Sequence, residues 1–247
     1  MTINIDSLTE RDIAKTIDHS LLRPELDDGF VEEGCRLAAE YDVASVCVRP
    51  ADVRRARAIL ERTDVAVGTV IDFPHGGHLT ATKVFEAERA LADGAIELDM
   101  VIQIGALRSG RDADVQADIA AVVEVGHAAG AIVKVIFENA YLTDDEKVRA
   151  CHLSEAAGAD FVKTSTGFAP GGATHDDLRL MRANTSPHIQ VKAAGGVRTL
   201  DALLAVIELG VTRVGATATK TIIDDFRTRK AGGQASAVPT GDTPVRT

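Results

Sequence analysis

The chain has 247 residues, 45% hydrophobic and 26% charged, and carries a net charge of −10 at pH 7. That length can bury one substantial core. The acidic balance, the 4% aromatic content and the absence of Trp argue against a nucleic-acid or membrane-surface partner.

In chain order, residues 6–15 form a predicted short N-terminal helix. Eight apolar runs rich in Val and Ile then follow: "TIDHS" (16–20), "ASVCV" (44–48), "VAVGTVIDF" (65–73), "AIELDMVI" (95–102), "AIVKVIFE" (131–138), "DFVKTS" (160–165), "IQVKAAGG" (189–196) and "TRVGAT" (212–217). Each is followed by a helical pattern. A strand–helix beat repeated eight times predicts a parallel sheet with crossover helices, closed into a single α/β (β/α)₈ TIM barrel. A doubly wound open sheet is the weaker alternative at that strand count. Helix punctuation agrees with this reading. Pro50 suits a helix start, "TDDE" (143–146) is a capping box, and Thr174 precedes two acids in a first turn. Gly94, Gly130, Gly158 and Gly210 stand where helices should stop. The catalytic domain is assigned to residues 1–229. The segment 230–247, small, polar and rich in Pro and Gly, is expected to be disordered. No apolar run approaches 18 residues, so neither a membrane span nor a secretion signal is expected. Three widely spaced cysteines without a C-x-x-C pair predict a reduced, cytoplasmic setting.

Side chains alternate along a strand, so parity sorts them. Val46, Val48, Leu98, Met100, Val133, Val135, Val162 and Val191 share the apolar parity and should lie under the helices. Ser45, Cys47, Glu97, Asp99, Lys134, Glu138, Lys163 and Lys192 then point into the barrel. Isolated charges there are costly, so they must be paired or solvated. Three lysines (Lys134, Lys163, Lys192) facing Asp18, Glu97, Asp99 and Glu138 point to a catalytic site near the strand ends; a purely structural set of ion pairs is the competing reading. Lys163 and Lys192 fall on consecutive strands, about 4.8 Å apart. Like charge and desolvation both lower the pKa of one of them, and a neutral amine is what attack on a carbonyl requires. Asp99 could move the proton.

Three glycine-bearing loops, "TSTG" after Lys163, "AAGG" after Lys192 and "GATAT" (215–219), lie at the carboxyl ends of late strands. In barrels such loops bind phosphate through backbone N–H groups.

At this point the sequence resembles the deoxyribose-phosphate aldolase family. "IDHSLLRP", "SVCVRP", "ELDMVIQIGALRSG", "FVKTSTGF" and "VKAAGGVRT" carry the resemblance, in the family's order, over residues 11–220. It implies a class I aldolase free of metal and organic cofactor. The implied reaction is reversible cleavage of 2-deoxy-D-ribose 5-phosphate to D-glyceraldehyde 3-phosphate and acetaldehyde. Its partners would be small-molecule sugar phosphates and aldehydes, with a homodimer allowed. By matching motif, Lys163 would form the Schiff base, Lys192 would perturb it, and Asp99 would be the carboxylate partner. Gly167, Gly195, Gly196, Gly215 and Thr217 would surround the phosphate, while Asp18 and Cys47 would line the substrate end. Two departures stand out. Thr217 and Ala218 occupy positions that are serines in many relatives, and Phe168 stands where some carry a lysine. Some relatives also end in a catalytic tyrosine, which this tail lacks.

Other residues yield weaker readings. His75 and His78 of "HGGH" sit in a Gly-rich loop without a clear third metal ligand. His19 could orient Asp18 or simply pack. A different Schiff-base lyase on the same barrel and a non-catalytic sugar-phosphate module are the rival functions.

Overall fold

The eight apolar runs condense into eight strands in the computed structural model, which describes residues 5–232. A single 3₁₀ turn (Ile5–Ser7) leads into α1 (Glu10–Ala14), which Thr9 and Asp12 close with a capping box. The strands are β1 (Ile17–Leu21), β2 (Ser45–Val48), β3 (Ala66–Ile71), β4 (Glu97–Val101), β5 (Ile132–Ile136), β6 (Phe161–Lys163), β7 (Gln190–Ala194) and β8 (Val211–Ala216). Between them run α2 (Asp28–Glu40), α3 (Val53–Leu60), α4 (Thr80–Ala92), α5 (Ile104–Arg108), α6 (Asp112–Ala128), α7 (Asp144–Ala156), α8 (His175–Ala183) and α9 (Leu200–Glu208), and α10 (Thr219–Gly232) follows β8. All neighbours pair parallel in chain order. β8 returns to β1 through Ile17↔Val214 and Asp18↔Gly215, which closes the barrel. The fold is a (β/α)₈ barrel.

The helix signals act as read. Thr143 and Glu146 exchange the two capping-box bonds, and Thr174 accepts from the Asp177 N–H. Gly94, Gly130, Gly158 and Gly210 all adopt positive φ, the left-handed conformation that terminates helices. Strand parity also holds. Val46, Val48, Leu98, Met100, Val133, Val135, Val162, Val191 and Val214 are sealed between barrel and helices. Gly126 explains how closely α6 lies on β5, since a Cβ there would come within 2.5 Å of Val133 Cγ2.

The structure corrects one boundary. Residues 230–232 belong to the last turn of α10, not to the tail. Arg229 pairs with Asp201 and Asp225, and Lys230 Nζ donates to the carbonyls of Asp6 (2.6 Å) and Leu8 (2.8 Å). These bonds tie the end of the helix to the N-terminal turn, a tertiary anchor that local composition does not reveal. The rest of the expected tail, 233–247, lies outside the described residues.

Candidate active site

Strand register assembles the charges. Asp99 sits beside Lys134 on β4 and β5, Lys163 beside Lys192 on β6 and β7, and Lys192 beside Arg213 on β7 and β8. Because these positions share the inward parity, their side chains converge on the barrel axis. Lys163 Nζ and Lys192 Nζ each donate to the same oxygen, Asp99 Oδ2, at 2.7 Å. Lys134 Nζ donates to Asp99 Oδ1 and to Glu97 Oε2, both at 2.7 Å. Lys192 also lies 2.5 Å from Asp18 Oδ2, and Arg213 joins Asp18 (Nε–Oδ1 2.7 Å) to Glu97 (Nη2–Oε2 2.8 Å). Asp18, Asp99, Lys134 and Lys192 are at most 1% exposed, and Lys163 is 3% exposed.

Four cations (Lys134, Lys163, Lys192, Arg213) therefore face three carboxylates (Asp18, Glu97, Asp99). The cluster is neutral when one lysine gives up its proton, and the surroundings select which. Burial pushes the Lys163 amine below its ordinary pKa; Asp99 opposes this and the Lys192 charge reinforces it. Burial acts on Lys192 as well, but its two carboxylate partners, Asp18 and Asp99, override it and hold it above the ordinary value. Lys134, between Asp99 and Glu97, is likewise raised against burial. Burial alone would push the Asp99 carboxyl up; the three ammonium groups around it hold it well below the carboxylate range. Asp18 is held low in the same way, by Lys192 and Arg213 against burial. Lys163 is thus the one lysine of the cluster whose pKa is lowered, which eases formation of the neutral amine, the nucleophilic form.

Above this cluster opens a cleft of about 160 Å³. Lys163, Lys192, Asp18 and Cys47 line its floor side. Gly167, Gly195, Gly196 and Thr217, from the loops after β6, β7 and β8, line it together with Gly215 near the end of β8. Asp99 lies beneath the lining, reached through the two lysines. Two of the loops interlock. A Cβ on Gly172 would approach Gly195 O to 2.6 Å, and Ala173 N donates to the carbonyls of Ala194 (3.0 Å) and Gly195 (3.1 Å). Among the described residues, the N–H groups of Gly167, Gly195 and Gly196 have no protein acceptor, which leaves them available to an anion. The Cys47 thiol, buried and close to Asp99, is pushed up to about 11. It is a wall of the cleft and a poor nucleophile at neutral pH.

One placement differs from the sequence reading. Glu138 does not join the lysines. It follows β5 at a positive φ of 56°, and its Oε2 accepts from the Thr166 N–H (3.2 Å) and from the Thr166 hydroxyl. The Thr166 Oγ1 in turn accepts from the Phe168 N–H at 3.0 Å. The left-handed turn after the strand breaks the alternation on which parity depends, so Glu138 anchors the β6 loop instead. His19 turns outward, where its Nδ1 meets Thr219 Oγ1 of α10 at 2.9 Å. His78 Nδ1 lies 3.3 Å from Asp72 Oδ1. Among the described residues no group of three or more His, Cys, Asp or Glu side chains is placed to hold a metal ion. Arg213 was missed although its signal was present: it opposes Val214 by the same parity rule. Arg23 and Arg198, both lining the cleft, come from loops for which parity says nothing. Lys83 forms a separate buried site, donating to Asp118 Oδ2 (2.6 Å) and Val101 O (2.8 Å) between α4 and α6.

A parallel barrel that gathers lysines and carboxylates in its interior, beneath a cleft at the loops that follow its strands, has the architecture of an enzyme, and comparison with known proteins gives the class. Residues 13–226 match the model of the DeoC/LacD family aldolases. A deoxyribose-phosphate aldolase of Rhodopirellula baltica is 50% identical over 216 residues, spanning 87% of this chain and 90% of that protein. One from Thermococcus gammatolerans is 50% identical over 218 residues, spanning 87% of this chain and 97% of that protein. The solved structure of a tetrameric deoxyribose phosphate aldolase from Aeropyrum pernix superposes with a TM-score of 0.84 at 28% identity, covering 91% and 95% of the two chains. The chain belongs to the DeoC/LacD aldolase family and is an aldehyde-lyase. Among the described residues no helix is long and apolar enough to cross a membrane.

Proposed function

We propose that the protein cleaves 2-deoxy-D-ribose 5-phosphate reversibly to D-glyceraldehyde 3-phosphate and acetaldehyde through a Schiff base on Lys163. The observation that carries this reading is the pair of ammonium groups sharing Asp99 Oδ2, with Lys163 biased toward its neutral form and Lys192 toward its charged form. Neutral Lys163 adds to the aldehyde carbon of the open-chain sugar, and loss of water gives an iminium. The C3 hydroxyl loses its proton, the C2–C3 bonding pair moves into the iminium, and glyceraldehyde 3-phosphate departs. The remaining enamine takes a proton at C2, and water hydrolyses the acetaldehyde iminium to free the lysine. Asp99, held ionised, orients both amines and receives protons through water; Lys192, held protonated, is the donor. Gly167, Gly195, Gly196, Gly215 and Thr217 surround the phosphate, with Asp18 and Cys47 at the aldehyde end. Fixing the remote phosphate orients the reacting carbons, where much of the barrier reduction should lie.

Borohydride with acetaldehyde should leave a reduced adduct on a peptide containing Lys163, and Lys163→Ala should release no acetaldehyde from deoxyribose 5-phosphate. An adduct mapped to another residue refutes the assignment. The three free, buried thiols (Cys35, Cys47, Cys151) support a reducing compartment such as the cytoplasm. We further propose self-association, with a homodimer as its smallest form; the tetrameric Aeropyrum pernix relative supports association and not a particular number of copies. Light scattering that reads one chain mass refutes it.

A further inference from the structure

At the cleft mouth, three loops meet over a single ring. Phe168, from the loop after β6, lines the cleft and is 38% exposed. Arg23, from the loop after β1, places its guanidinium carbon 5.3 Å from the ring centroid. Phe73, from the loop after β3, meets the same ring edge-on, with centroids 5.2 Å apart and planes at 86°. The loop that carries Arg23 is itself held down, because Arg49 Nη1 donates to the carbonyls of Arg23 and Pro24 at 3.2 Å each while its Nε is paired with Asp52.

Arg23 forms no ion pair among the described residues, and neither does Arg198, the other guanidinium of the lining. The lysines of the cleft are committed to Asp99 and Asp18. The uncommitted positive charge of the cleft is therefore two arginines, facing the same space as the free N–H groups of Gly167, Gly195 and Gly196. A guanidinium stacked on an aromatic face keeps its in-plane N–H groups available and is already ordered, which suits bidentate recognition of a phosphate.

We propose that Arg23 is a phosphate-binding and specificity-determining residue, and that Phe168 is the platform that presents its guanidinium to the cleft. This rests on the reading of the cleft as a sugar-phosphate site. Inorganic phosphate titrated calorimetrically into the full chain should bind about ten-fold more weakly to Arg23→Gln, as expected for loss of one charge-assisted contact. Phe168→Leu, which keeps an apolar side chain but removes the π face, should weaken binding about three-fold. In turnover, Arg23→Gln should reduce the preference for deoxyribose 5-phosphate over unphosphorylated 2-deoxyribose, read as the ratio of kcat/KM values, by about ten-fold. A merely structural role lowers both kcat/KM values together and leaves the ratio, which overturns the proposal; so does an unchanged phosphate affinity. If wild type fails to cleave deoxyribose 5-phosphate, the functional reading falls, while the phosphate titration still decides the role of Arg23.

Discussion

Replacing Lys192 by Met tests the electrostatic core of the site. Both lysine nitrogens lie 2.7 Å from Asp99 Oδ2, which puts them about 4–5 Å apart for ordinary hydrogen-bond angles. At an effective dielectric near 20, two unit charges at that range repel by ~3–4 kcal/mol. Asp99 lies against both and draws the other way, so only part of this reaches Lys163. The sign is fixed: Lys192 helps depress the Lys163 pKa, its removal raises it, and fewer Lys163 amines are neutral at any given pH below that value. Borohydride trapping with acetaldehyde at pH 7 should slow by about 10- to 100-fold, and the acid limb of its pH profile should move to higher pH. The loss should shrink as the pH is raised, because alkali restores the neutral amine. Lys192→Arg keeps the charge and should leave the limb in place even where the altered shape lowers the plateau. A limb that stays put in Lys192→Met, or a deficit of equal size at every pH, refutes the argument that one amine tunes the other.

Three further outcomes follow from the geometry. His19 is buried against Thr219, and burial lowers its pKa from 6.5 to about 4; folding is therefore favoured by a neutral ring above pH 6.5, and about 3 kcal/mol of stability should be lost as pH falls from 6.5 to 4. Chemical denaturation across that range should show a shallower acid loss in His19→Gln, and identical slopes contradict the assignment. Glu138→Ala removes the anchor of the loop carrying Gly167 and Phe168, so the KM for deoxyribose 5-phosphate should rise about ten-fold, with Glu138→Gln recovering most of it; a change confined to kcat excludes the anchoring role. Glu97→Gln subtracts an anion from the cluster and leaves Lys134 to Asp99 alone, which should weaken the hold of Asp99 on Lys163 and move the acid limb of trapping to lower pH, the reverse of Lys192→Met.

The legible part of this molecule is what obeys a period. Eight strand–helix beats gave the barrel, and the two-residue alternation placed Asp99, Lys134, Lys163 and Lys192 on one surface, because parity survives wherever a strand is regular. Arg213 obeyed the same rule and needed only consistent application. Glu138 escaped because a left-handed residue follows the strand and rotates the chain off its alternation. The interlock of Gly172 with Gly195 and the stack of Arg23 on Phe168 join loops from different strands, so no local period encodes them. The end of α10 was misplaced for a related reason. Its last turn is held by contacts with Asp6 and Leu8, more than 200 residues away in sequence, while its own composition favours coil.

The charge count explains why register matters more here than in an apolar barrel. A slip of one residue in β6 would turn Lys163 outward into the helix layer and bring Val162 into the cluster. The interior would then hold three cations against three carboxylates, balanced with every amine protonated and without a nucleophile. The native register instead places a fourth cation among three carboxylates, at the position where burial is least compensated by its neighbours. Desolvation then selects Lys163, because Lys134 and Lys192 each have two carboxylate partners and Lys163 has only Asp99. On this argument reactivity is a property of the imbalance and not of Lys163 alone, which is why removing a neighbouring cation and removing a neighbouring anion should move its titration in opposite directions.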